Sequence, residues 1–212
     1  MANFLKDNDD LLFYVDRGFD WDSVASLTER DFTLDGGHKS REEALEFYRN
    51  VLEMVGELAA NEIAPHAAEI DREGVRMEDG EVVLCNRLNT IFEKIKELDL
   101  HGLVLPRELG GMNAPLIVYS INSELLARAD VSTMAHHGFH GGMAMAALFF
   151  SVLEGSTRFD PRTGEVLETR FHAMIEEIVR GDAWGCMDIT EPDAGSDMGA
   201  LRTVGEQDEH GN

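Results

Sequence analysis

Apolar residues recur at steps of three and four along most of the chain, the spacing that lines one face of an α-helix. Leu45, Tyr48, Leu52, Val55, Leu58 and Glu62-Ile63 make the first stripe. Ser40-Arg41-Glu42-Glu43 opens it as a capping box, in which a serine hydroxyl and a glutamate three residues on exchange bonds with each other's backbone N–H. Pro65 is expected to kink or end that helix. A second stripe runs Leu84, Leu88, Ile91, Phe92, Ile95, Leu98, and a third runs Leu116, Ile117, Ser120, Ile121, Glu124, Leu125. The fourth spans Thr133 to Leu153 and is rich in Ala, Gly and Met; the fifth uses Leu167, Phe171, Met174, Ile175 and Ile178. Five amphipathic helices joined by modest loops predict a mainly α protein with a helical bundle over residues 38–182.

The flanks have a different texture. Residues 1–37 are acidic with interleaved Phe4, Phe13, Tyr14, Phe19, Trp21 and Phe32, and Gly36-Gly37 punctuates their end. They read as an N-terminal arm whose aromatics pack on the main body, the alternative being a separate acidic interaction tail. After Arg180-Gly181-Asp182, the short stretch Ala183–Ile189 reads as a strand ending in the turn-prone Pro192-Asp193-Ala194-Gly195. Leu201–Glu206 reads as a second strand and Asp208-Glu209-His210-Gly211-Asn212 as a turn. Two strands cannot bury a sheet face, so residues 183–212 are expected to begin a β-domain that continues after residue 212.

Composition narrows the function classes. The 212 residues carry 41 acidic and 18 basic side chains, a formal net charge of −23. That balance repels phosphate backbones and anionic lipid, which argues against nucleic-acid or membrane-surface binding. No apolar run reaches the roughly 18 residues of a membrane span, and no secretory signal is visible at the N-terminus. Cys85 and Cys186 are too few for a disulfide framework or a four-thiolate zinc site. A cytoplasmic, reducing compartment is the expectation.

His136, His137 and His140 invite a metal reading, since His136 and His140 would share a helix face. There is no HExxH pattern, however, and histidines near a helix start more often line a polar cavity or cap carbonyls; no metal is expected. Cys186 reads as a small buried hydrophobe. Gly110-Gly111 reads as a turn between helices. Thr190-Glu191-Pro192-Asp193-Ala194-Gly195-Ser196-Asp197 strings a hydroxyl, a small-residue turn, a second hydroxyl and an acid after a strand. It is either a plain turn or a loop whose backbone N–H groups bind oxyanions, with Gly195 letting a ligand approach.

Ile189–Asp197 closely resembles the TEP-x-AGSD signature of acyl-CoA dehydrogenases. Leu103–Gly111 resembles that family's P-x-E-x-GG segment, and Glu124–Asp130 its third-helix pattern. The resemblance covers about residues 38–212, and the aromatic arm is similar to the extension of the family's larger members. It implies the N-terminal helical bundle and the start of the middle β-domain of an FAD-dependent enzyme of lipid metabolism and fatty acid β-oxidation. The implied reaction is α,β-dehydrogenation of an acyl-CoA thioester with hydride transfer to flavin. Carried over by residue, Met187, Ile189, Thr190, Gly195 and Ser196 would contact FAD, and Ser196 the substrate's CoA portion as well. Met187 stands where many members carry an aromatic. Asp197 favours the dehydrogenase over the related acyl-CoA oxidases, which usually read GSN. The catalytic carboxylate would belong to a later bundle, so no residue here is assigned as base and Glu191 is expected to hold its turn. Electron-transferring flavoprotein as acceptor and a homo-oligomer are also implied. The alternatives are a split-enzyme subunit, a non-catalytic helical docking module that kept the fold, and an acyl-CoA oxidase.

Overall fold

The computed structural model describes residues 1–206, Asp208 and Glu209. His210-Gly211-Asn212, part of the expected terminal turn, lies outside the described residues. Two short helices, α1 (Asp9–Phe13) and α2 (Trp21–Thr28), form the arm. Then come α3 (Arg41–Leu58), α4 (Ala67–Glu73), the hairpin β1 (Arg76–Glu78) and β2 (Glu81–Val83), and α5 (Asn86–Glu97). After a loop follow α6 (Leu116–Ala129), α7 (Val131–Leu153), the hairpin β3 (Arg158–Phe159) and β4 (Val166–Glu168), and α8 (His172–Val179).

The capping serine behaves as its position predicts: Ser40 Oγ accepts from the Glu43 N–H at 3.2 Å. The return bond differs by one residue, because the Glu43 carboxylate accepts from the Lys39 N–H at 2.8 Å. Pro65 does not end the helical path. The chain runs from α3 through a π turn, Ala59–Ile63, and a 3-10 turn, Ala64–His66, into α4. Proline sits in the first turn of that last piece, where its missing N–H has no partner to lose.

Tyr48, Leu52 and Val55 of α3, Ile91 and Ile95 of α5, and Leu125 and Leu126 of α6 are buried in one core. A smaller core joins Leu105 and Leu109 to Ala144 of α7 and Ile175 and Ile178 of α8. Each such aliphatic side chain contributes roughly 1.5–3 kcal/mol on burial. The arm packs on the main body as expected: Trp21 is buried, and Phe4, Phe19 and Phe32 are partly covered, while Phe13 and Tyr14 stay exposed. A fully buried carboxylate fastens it. Glu29 takes both Arg107 Nη atoms at 2.8 and 2.9 Å and the Tyr48 hydroxyl at 3.1 Å. That bond and burial push the Tyr48 phenol well above its ordinary value, burial being the larger cause. Arg107 lies in the turn Pro106–Gly111, whose close fold needs glycine: a Cβ on Gly111 would stand 2.1 Å from the Leu105 carbonyl oxygen.

Several expected elements differ. Residues 183–189 and 201–206 form no strand; the described part of the segment is irregular apart from a 3-10 turn, Met198–Ala200, and a bridge between Glu191 and Ala194. A strand requires a neighbour for its N–H and C=O groups, and no described segment pairs with Ala183–Ile189. Cys186, on that stretch, is exposed rather than buried. The fifth stripe is helical only from His172, because Leu167 belongs to β4.

Candidate functional site

Asp130 starts α7, accepting from the Thr133 N–H at 2.7 Å and from both the Ser132 and Thr133 hydroxyls at 2.6 Å. The face this helix buries is small or polar: Thr133, His137, His140, Gly141, Ala144 and Ser151. Its aromatic residues point outward, with Phe139, Phe149 and Phe150 all exposed. A helix that hides imidazoles and presents phenylalanines to the outside inverts the usual order of burial.

Between α6 and α7 lies an apolar groove of about 490 Å³. Tyr119 of α6, Met134, Gly138, Gly142 and Met143 of α7, and Met187 line it. Tyr119 Oη donates to the Gly138 carbonyl at 3.2 Å, closing one wall. At Gly142 a Cβ would meet nothing within 4 Å, so the missing side chain is open groove. Among the described residues, no carboxylate lines it. A second hollow, about 320 Å³ beside Trp21 and Tyr48, carries Arg41 and Arg49, but these are paired with Asp22 and Asp16. The first groove is the better ligand site.

Of the residues singled out in the sequence, the fold brings Met187 into this groove, facing the Met143 stretch of α7. Ile189 is half-buried, whereas Thr190, Gly195 and Ser196 are exposed on the loop that follows. Among the described residues, no heavy atom outside the chain neighbours would come within 4 Å of a Cβ at Gly195, so its backbone is open to approach. Glu191 holds this loop, accepting from the Arg202 N–H at 2.9 Å, the Thr203 N–H at 2.7 Å and the Thr203 hydroxyl. Those bonds, the hydroxyl first, lower its carboxyl below the usual range.

Behind the groove the histidines gather. His140 Nε2–H donates to the Ile178 carbonyl at 2.8 Å, capping the end of α8, and His137 Nε2 sits 3.5 Å from Asn122 Nδ2. His101, in a 3-10 turn (Leu100–Gly102), joins them with its ring centroid 4.2 Å from that of His140. Nothing in the sequence near residue 101 announces this; only the tertiary fold does. Burial, with help from the neighbouring imidazoles, pushes His101 down to about 3 and His137 to about 4. His136 and His140 are lowered by the same burial. Among the described residues, no group of three or more His, Cys, Asp or Glu side chains is placed to hold a metal ion. No described helix is long and apolar enough to cross a membrane.

The sequence profile described as "Acyl-CoA dehydrogenase, N-terminal domain" matches residues 46–151, from within α3 to the last turn of α7, and so takes in the groove residues of α6 and α7. The chain belongs to the acyl-CoA dehydrogenase family. It is 27% identical over 194 residues to the 3-methylmercaptopropionyl-CoA dehydrogenase of Ruegeria pomeroyi, covering 91% of this chain and 29% of that protein. It is 33% identical over 153 residues to the Bacillus subtilis protein named "Probable acyl-CoA dehydrogenase YngJ", covering 72% and 34% respectively. Against the mitochondrial short-chain specific acyl-CoA dehydrogenase of Sus scrofa it is 27% identical over 163 residues, 77% of this chain and 33% of that one. The chain therefore spans about a third of the length of the curated relatives it matches.

Proposed function

We propose that this chain supplies the acyl-binding helical part of an FAD-dependent acyl-CoA dehydrogenase acting in fatty acid β-oxidation in the cytoplasm. The observation that carries this reading is the groove: an apolar channel between α6 and α7, floored by glycine and reaching Met187 at the start of the signature loop. An acyl chain gains by leaving water for such a lining, at about 0.8 kcal/mol per buried CH₂. The loop residues fit FAD as a one-sided contact surface: exposed Thr190 and Ser196 hydroxyls flank the open backbone of Gly195. When bound, FAD supplies the hydride acceptor for α,β-dehydrogenation of the thioester. Met187 and Ile189 would hold the flavin ring from one side, Thr190 would donate a hydrogen bond to its polar edge, and Ser196 would serve the pyrophosphate or CoA. With no carboxylate in the groove lining, the base that removes the α-proton is assigned to a part of the enzyme outside this chain. Electron-transferring flavoprotein as acceptor and a homo-oligomeric assembly belong to the same proposal.

The test uses the protein purified from its native source, with whatever accompanies it. A flavin absorbance that bleaches on anaerobic addition of an acyl-CoA is expected, and Thr190→Val should slow bleaching by roughly three- to tenfold, the worth of one hydrogen bond. A flavin-free protein that neither binds nor bleaches with any acyl-CoA contradicts the reading. An unchanged rate in the Thr190 variant removes that residue from its role.

A further inference from the structure

Trp184, itself 44% exposed, packs over one end of the imidazole cluster. Its ring centroid lies 4.3 Å from those of His136 and His140, 5.5 Å from His101 and 4.9 Å from Phe92. Beneath it the His101 ring lies 5.6 Å from that of His137. The Nδ1 atoms of His101, His137 and His140 and the Oδ1 of Asn122 are buried without a hydrogen-bond partner among the described residues. The chain reaches Trp184 from α8 through Gly181, at φ +69°, where a Cβ would stand 2.9 Å from His101. Beyond that point no backbone hydrogen bond of residues 183–190 to another described segment fastens them. Packing of Trp184 on the imidazoles, with Gly185 close against Met143, holds this stretch to the bundle at its start.

We propose that His101, His136, His137 and His140 form, with Trp184, an acid-opened latch on residues 183–190, the segment that carries Met187 into the groove.

The physics lies in what faces the imidazoles. α5 contributes Phe92 and the Lys96 cation, α6 the Asn122 amide, and α7 the other three histidines. From the end of α8 come the Ile178 carbonyl and Asp182, and the Asp182 carboxylate is already paired with Lys96 at 2.8 Å and Arg180 at 2.9 Å. A proton added to the closed cluster thus meets imidazoles and a lysine, and the Asp182 carboxylate is engaged elsewhere. Opening the lid hydrates the rings and returns them toward the ordinary histidine value of roughly 6.5. The closed form binds protons less readily than the open one, so closure is fully favoured above about pH 6.5 and is lost progressively as pH falls toward 4. Each imidazole that gains a proton on opening raises the opening constant by up to about tenfold per pH unit. The latch needs no cofactor, so it stands or falls apart from the proposed dehydrogenase activity.

The experiment is NMR of the two tryptophan indole N–H groups in the full chain, assigned with Trp184→Phe and titrated from about pH 7.5 to 5, above the isoelectric point near 4.5. Trp184 is already 44% exposed, so the readout is loss of contact with the rings. Its signal should lose the ring-current shift imposed by His136 and His140 and reach the position of a free indole over this range, while the Trp21 signal, deep in the main core, stays put. His101→Phe keeps the aromatic packing and removes one titrating group; it should shift the transition to lower pH by at least about half a unit. His136→Phe, on the half-exposed side, serves the same purpose if His101→Phe does not fold. A Trp184 signal that moves only when Trp21 moves, or a transition unchanged in both variants, overturns the latch.

Discussion

Glu29 and Arg107 lie 78 positions apart in sequence and meet in a site where the carboxylate has no exposure to water. A charge so placed is tolerable only with its counter-ion, since an unpaired buried ion costs several kcal/mol. Arg107→Met should therefore destabilise the fold by about 3–5 kcal/mol, read as a lower urea midpoint with an unchanged slope. A loss below about 1 kcal/mol would show that water reaches Glu29 in solution. The pair also explains how a turn read only for its glycines came to matter. Gly111 is required by the Leu105 carbonyl beside it, but the sequence could not reveal that the intervening arginine clamps the arm. At the loop, by contrast, the expectation that Glu191 holds its turn was readable from the motif itself. Its partners, Arg202 and Thr203, are only 11 and 12 residues away.

The helices were legible wherever apolar stripes met a core: Leu88, Ile91, Phe92 and Ile95 are buried along α5 as their spacing demands. Hairpin β1–β2 was not read, because its positions are mostly exposed and show no alternation. Asp79-Gly80, both at positive φ, was the available signal, being the dipeptide that a tight two-residue hairpin turn favours. α7 was legible as a helix rich in small residues, and Gly141 and Ala144 are buried, yet periodicity alone could not say that its phenylalanines face outward. That inversion makes a prediction about the element. Phe149→Lys places a cation near the C-terminal end of α7 at a position 60% exposed, so stability should change by no more than about 0.5 kcal/mol. Binding of an apolar dye such as ANS should fall at the same time. A large loss of melting temperature instead would mean that Phe149 is buried in solution.

Across the whole molecule, a strongly acidic bundle presents exposed phenylalanines on α7, the helix that lines the groove together with Met187. The strands expected over 183–206 are absent because strand formation needs a partner, a property of the surroundings rather than of the residues. The groove itself depends on side chains missing at Gly138 and Gly142 and on methionines brought from two separated stretches, which no local pattern displays. Those methionines make the central claim measurable. Three of the chain's ten, Met134, Met143 and Met187, line the groove, while Met174, on α8, lines a different hollow. With ¹³C-methyl methionine in the protein and octanoyl-CoA as the probe, the methyl signals of Met134, Met143 and Met187 should move together in a saturable titration, and those of Met54 and Met174 should not. Saturable binding that leaves these three methyls unmoved would contradict the assignment of the groove to the acyl chain.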